Sequence, residues 1–170
     1  MPFVVEVVRS YFEPRASARR ILARANTEGR ALAILVLGCF VLFLSQLPDI
    51  MSKEVAQGGS PGPVADAAAR IVGALVFAPL LFYGIAGLTG LAIRAAGYSP
   101  SWINCRVSLF WAVLAVSPAV LIIALARGFI GTSTLLIMIS LAMTIPFLVI
   151  WISALLESIV ADRELAIAGR

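Results

Sequence analysis

Four long apolar stretches separated by short polar ones dominate the chain: residues 31–47, 71–93, 107–126 and 134–156. None of them contains Asp, Glu, Lys or Arg. Crossing roughly 30 Å of hydrocarbon takes about 20 residues, within a range of about 17–25, and all four stretches fit. Segments such as Ala74-Leu75-Val76-Phe77-Ala78 and Leu121-Ile122-Ile123-Ala124-Leu125 are apolar throughout and lack the alternation of a barrel strand. The pattern predicts helices, which satisfy their own backbone hydrogen bonds in lipid. Thirty residues precede the first stretch, and Ser45-Gln46-Leu47-Pro48-Asp49 at its end offers no small-residue cleavage site. It is expected to be a retained span.

The first thirty residues follow a different pattern. Between Phe3 and Phe12 the polar residues Glu6, Arg9 and Ser10, continued by Glu13, recur at helical spacing and gather on one face. Pro14 ends that helix and begins another, since proline suits a first turn. There Arg15, Arg19, Arg20 and Arg24 occupy half of the wheel, and Ala18, Ile21, Leu22 and Ala25 occupy the rest. A basic amphipathic helix of this kind can lie in the headgroup plane. The four arginines are candidates for contact with anionic lipid or a cytoplasmic partner, although an orientation anchor is the plainer role. Asn26 or Thr27 suits the cap of the first span.

Charge then sets the topology. Ten Lys or Arg residues fall in the N-terminal segment, the second loop and the tail, against three in loops one and three. Basic residues stay cytoplasmic, so both termini are expected inside. The domains follow: 1–30 an interfacial N-terminal segment, 31–156 a transmembrane domain of four helices, and 157–170 a cytoplasmic tail. Loop one, Pro48 to Arg70, carries a turn-rich Gln57–Pro63 stretch and a helical signal near Asp66. Composition agrees: the chain is 61% hydrophobic and 13% charged, against about 25% charged in a soluble domain. A sequence pI near 9.7 reflects arginines that flank apolar runs, which fits membrane anchoring and not nucleic acid.

Within the spans, Pro79, Pro118 and Pro146 each remove a helical hydrogen bond and bend or loosen a turn. Ser117 and Thr144 stand close enough in sequence to supply a hydroxyl to the freed carbonyl. Ala86 and Gly90 form a small-xxx-small pair, and Gly84, Gly87 and Gly90 nearly share a face, which suits helix packing or a partner subunit. Trp102, Trp111 and Trp151 are expected as interfacial anchors, and Glu157 as a solvated helix end. Cys39 and Cys105 are expected to lie at different depths and to remain unpaired.

Histidine is absent, which removes His-based acid–base catalysis and His metal sites. No carboxylate lies deep in a span, unlike most ion-coupled transporters. No phosphate-cradling loop appears, and the span serines have no base in view. No catalytic, cofactor or metal residue is therefore expected, and a non-enzymatic role is.

The ordered features Phe12-Glu13-Pro14-Arg15, Arg19-Arg20-Ile21-Leu22, Pro79-Leu80-Leu81-Phe82-Tyr83-Gly84, Arg106-Val107-Ser108-Leu109-Phe110-Trp111 and Ser117-Pro118 together resemble the bacterial branch of the Yip1 family over nearly the whole chain. Members often have five spans, against four here. The resemblance implies an all-α membrane bundle in a bacterial inner membrane. It leaves two roles open: contacts with lipids, other membrane subunits or a second copy, or passage of a small neutral solute past Tyr83, Thr89, Ser117 and Thr144. A membrane enzyme would instead need Arg94, Asn104, Arg106 and Glu157 to cluster.

Overall fold

A computed structural model of the chain describes residues 2–25, 27–50, 68–69, 71–98, 100–131 and 133–168. The Gln57–Pro63 stretch, the helical signal near Asp66 and the Asn26 cap lie outside the described residues. The described residues are all-helical with no strand. Two short helices, α1 (Pro2–Phe12) and α2 (Pro14–Arg24), precede α3 (Glu28–Leu44), which continues through a turn to Ile50. A π-helical turn, Gly73–Phe77, leads into α4 (Ala78–Ala95). Then come α5 (Trp102–Ile130), α6 (Thr134–Ala142) and α7 (Thr144–Ala168). Four helical segments are long and apolar enough to cross a membrane: Glu28–Ile50, Ala78–Ala95, Trp102–Ile130 and Thr134–Asp162. They reach beyond the expected spans at several ends, because polar residues such as Glu28 and Asp162 continue the helices into their rims.

α5 is the centre. Residues 107–117 are buried without interruption, and α3 and α7 make the most extensive packing against it, with α4 and the two N-terminal helices adding to it. The outward surfaces of the other helices remain apolar, as at Leu80, Leu88 and Met138. Water tolerates only small contiguous patches of this kind.

Each proline is accommodated differently. Pro79 follows the π turn, whose Ala78 N–H donates to Gly73 O, five residues back. Proline lacks the N–H and its ring crowds the carbonyl four residues back, and the widened turn moves that carbonyl aside. Pro118 stays inside α5. The acceptor it abandons is Leu114 O, and Ser117 Oγ donates to that oxygen at 3.0 Å. Pro146 sits in the first turn of α7, directly after a break at Met143 that divides the fourth span into α6 and α7.

The small residues separate into two groups. Ala86 is fully buried and Gly90 lies against the Trp102 ring, where an added Cβ would meet a ring carbon at 3.0 Å. Gly84 and Gly87 face open space. The close approach of one helix to another's backbone falls at a glycine not singled out above. A Cβ on Gly38 of α3 would stand 3.3 Å from both Leu114 N and Val113 Cγ1 of α5. Backbone gives way less readily than a flexible side chain, so this position has little slack.

Two outcomes follow. Gly38→Val is expected to destabilise the fold in detergent by about 1–3 kcal/mol, as overpacked cores do, while Gly84→Val stays within about 0.5 kcal/mol of the parent; comparing unfolding midpoints checks this. Ser117→Ala should cost about 1–3 kcal/mol by stranding the Leu114 carbonyl. Adding Pro118→Ala, which restores an N–H donor, should recover most of that loss.

Candidate functional site

The N-terminal helices fold as a hairpin against α5 and α7, and a buried polar seam joins them. Glu13 leaves the helical region at φ −131°, and Pro14 restarts the chain as α2. This places Ser17 beside α1. Ser10 Oγ donates to Glu6 O at 2.8 Å and lies 2.9 Å from Ser17 Oγ. Ser17 Oγ reaches the Glu6 carboxylate at 3.2 Å. Arg20 completes the group: its Nε is 3.0 Å from Glu6 Oε1. Glu6, Ser10 and Ser17 are all buried.

α5 closes the seam from the other side. Trp111 Nε1 donates to Ser10 Oγ at 3.0 Å, and Tyr11 Oη donates to Ala115 O at 3.1 Å. Burial pushes the Tyr11 hydroxyl above its ordinary pKa, which keeps it a donor. Ala115 O has a second lone pair available beside its helical bond. At 1.5 Å per residue, Trp111 and Ala115 lie roughly 7 and 13 Å along α5 from Arg106. The hairpin therefore rests against the apolar length of α5, inside the polar rim.

The amphipathic helices consequently point differently from the expectation. In α1, Glu6 and Ser10 turn inward, while Val5, Val8 and Phe12 turn outward, bordered by the exposed Arg9 and Glu13. Phe12 is 83% exposed. In α2 the expected apolar half, Ala18, Ile21, Leu22 and Ala25, is buried. It packs on the protein itself, so it is not free to enter a headgroup layer. The reason is that six side chains, Glu6, Ser10, Tyr11, Ser17, Arg20 and Trp111, find partners across the docked hairpin.

A second set of polar contacts rings one end of the bundle. Arg19 Nε lies 2.5 Å from Glu157 Oε2, with the carboxylate side chain 7% exposed. Glu157 is thus a buried ion-pair partner and not a solvated helix end. Arg106 pairs with Glu28 and joins α5 to α3. Asp162 accepts from Ser101 N at 2.7 Å and from Asn104 Nδ2 at 3.0 Å, capping α5 where the helix dipole favours a negative charge. Arg94 stacks over the Trp102 ring at 4.1 Å. Arg94, Asn104, Arg106 and Glu157 each have a separate partner and do not form one cluster. At the opposite end Arg127 donates to Ser140.

The structure also sorts the remaining residues singled out by sequence. Of the four α2 arginines, Arg19 and Arg20 are held in ion pairs, whereas Arg15 and Arg24 are exposed. Thr27 is the N-cap of α3, through its backbone and not its side chain. Trp111 belongs to the core and is not an interfacial anchor, since its N–H finds Ser10 there. Trp151 is half-buried against Phe147. Cys39 and Cys105 are buried and free. Tyr83 packs on Phe110 with ring centroids 4.9 Å apart, and Thr89 Oγ1 donates to Ile85 O.

Beside Pro118 a cavity of about 250 Å³ opens between α3, α4, α5, α6 and α7, with Ser117, Ser140 and Thr144 among apolar walls. Ser117 and Ser140 hydroxyls donate to their own helix carbonyls. Among the described residues no group of His, Cys, Asp or Glu is placed to hold a metal ion. Comparison with known proteins finds no matching family model, no matching curated protein and no matching solved structure.

The seam yields a measurable coupling. Glu6→Ala and Arg20→Ala are expected to be non-additive by about 0.5–3 kcal/mol, as for residues of one network. Trp111→Phe should cost about 1 kcal/mol, the net worth of one hydrogen bond. Unfolding in detergent, followed by circular dichroism, reads both.

Proposed function

We propose that the chain is a non-enzymatic, four-span protein of a bacterial inner membrane, Yip1-like, with both termini in the cytoplasm. It acts through contacts with lipids or other membrane proteins, as a scaffold or accessory subunit. The observation that carries this reading is the outward apolar side of α1. An amphipathic helix in water turns its polar side out, whereas α1 binds its polar side to α5 and α2 and turns Val5, Val8 and Phe12 outward. That arrangement is favourable only where the surroundings are apolar, at about 25 cal/mol per Å² of apolar surface kept from water. The hairpin then sits in the inner leaflet, with Arg9 at its border reaching toward the headgroups.

The distribution of arginine between the bundle's ends supports the proposed orientation. Arg30, Arg94 and Arg106 share one end with the α2 arginines, and Arg127 lies near the other. The excess of arginine faces the cytoplasm. The alternative role, passage of a small neutral solute, draws on the cavity beside Pro118. Its walls are mostly apolar, which suits an acyl chain better than a hydrated solute. Flux of a neutral solute across vesicles containing the protein would favour the alternative.

Membrane placement and topology are tested together. The protein should stay with the membrane pellet after alkaline extraction. In a Cys39→Ala, Cys105→Ala background, Thr27→Cys and Ala96→Cys should label from the cytoplasmic side and Thr134→Cys from the other. Free solubility without detergent, or labelling of Thr27→Cys and Ala96→Cys from opposite sides, overturns the reading. Mild-detergent copurification tests the role: a protein that always emerges alone, and whose deletion alters no membrane complex, is not an accessory subunit.

A further inference from the structure

We propose that the groove between α2, α3 and α5 binds one anionic phospholipid, with its phosphate held by Arg24 and Arg30 and an acyl chain laid along α3. This rests on the membrane placement above and adds a ligand class and a site to it.

The groove has a volume of about 340 Å³. Its walls come from three helices: Ile21 of α2, Ile34 and Leu37 of α3, and Leu114 of α5. Arg24 and Arg30 also line it. Arg24 ends α2, and Arg30 stands in the first turn of α3, two residues from the Glu28 that pairs with Arg106 on the rim. The arginines thus lie at the polar level. Leu37, seven residues further along α3, is roughly 10 Å deeper at 1.5 Å per residue. One end of the groove is cationic and the rest is hydrocarbon, which matches the charge and polarity profile of a phospholipid.

The pairing pattern separates these two arginines from their neighbours. Arg19 holds Glu157, Arg20 holds Glu6, Arg106 holds Glu28 and Arg94 stacks on Trp102. Neither Arg24 nor Arg30 pairs with a carboxylate among the described residues. Instead Arg30 Nη1 donates to the Arg24 backbone carbonyl at 2.8 Å, tying the end of α2 to the start of α3, and both arginines line the same groove. Two cationic side chains lining one otherwise apolar groove are complementary to an anion that carries an apolar tail. A guanidinium fork presents paired donors that match a phosphate, and basic groups at the inner surface favour anionic headgroups. A zwitterionic lipid offers the same tail but brings its own cation to the mouth.

Native mass spectrometry of the full chain in detergent, with phosphatidylglycerol or phosphatidylcholine added, reads the site. One phosphatidylglycerol should be retained, with a preference of about tenfold or more over phosphatidylcholine. Arg24→Gln with Arg30→Gln should erase that preference, while Arg9→Gln with Arg15→Gln, an equal loss of charge on exposed arginines, should preserve it. Ala33→Phe, which fills the groove wall, should lower retention of both lipids at this site. Inorganic phosphate at millimolar concentration should not displace the lipid; if it does so fully, the site is a phosphate site and the lipid assignment fails. Equal retention of the two lipids by the parent, or equal loss of preference in both double variants, also overturns the proposal. Should the Gln variants fail to fold, Arg24→Lys with Arg30→Lys keeps the charge and removes the fork, and unchanged preference in that variant eliminates paired-donor recognition. The membrane reading fails separately, through solubility without detergent.

Discussion

The hydrogen bond from the Trp111 indole to Ser10 joins the two halves of this molecule. On one side stands the buried centre of α5, and on the other the N-terminal hairpin. Ser10 also meets Glu6 O and Ser17 Oγ, and the Glu6 carboxylate in turn holds Ser17 and Arg20. A buried polar group without a partner costs about 1–3 kcal/mol, and this seam contains several. Most of their bonds cross between α1, α2 and α5 and form only when these helices are assembled, although Arg20 Nη2 is left without a partner. The docking decides which way α1 faces, and so which residues the hairpin turns outward. Removing the seam would leave the carboxylate of Glu6 against apolar α5, where an unpaired charge is strongly unfavourable.

The same tendency to pair polar groups in apolar surroundings shapes the bundle, with Arg20 Nη2, Arg127 Nε and Trp151 Nε1 as buried exceptions. Three prolines interrupt three helices, and three local devices answer them: a π turn before Pro79, a serine hydroxyl at Pro118 and a helix break before Pro146. At Gly38 the demand is steric, because α3 approaches the backbone of α5 too closely for a side chain. Contact this close gains helix–helix dispersion, because the two backbones can approach without a side chain between them. At the polar end, Glu28, Glu157 and Asp162 take up Arg106, Arg19 and the start of α5. These pairs tie α3, α5 and α7, together with α2, into one rim.

Much of this organisation was legible beforehand. Uninterrupted apolar runs required helices, and four such segments are present. Ser117 next to Pro118 announced its own role, because a hydroxyl one residue before a proline reaches the abandoned carbonyl locally. The division of α2 into arginine and apolar halves was equally plain, as was the inward use of Ala86 and Gly90. What misled were residues whose partners lie far away in sequence. Glu157 looked like a solvated helix end until Arg19 met it across 138 positions. Trp111 resembled an interfacial anchor until Ser10, 101 positions away, accepted its proton. Gly38 carried no signal, since a lone glycine in an apolar run does not say which helix will cross it.

Local chemistry and periodicity are properties of neighbours, so the sequence alone determined the helices, their apolar character and the unequal placement of arginine, but not where each helix begins, ends or breaks. The outward turn of Val5, Val8 and Phe12, and the separation of paired from unpaired arginines, depended on tertiary structure. α1 has a polar side and an apolar side in any case. Only the presence of Trp111, Ser17 and Arg20 at the docking surface makes burying the polar one favourable.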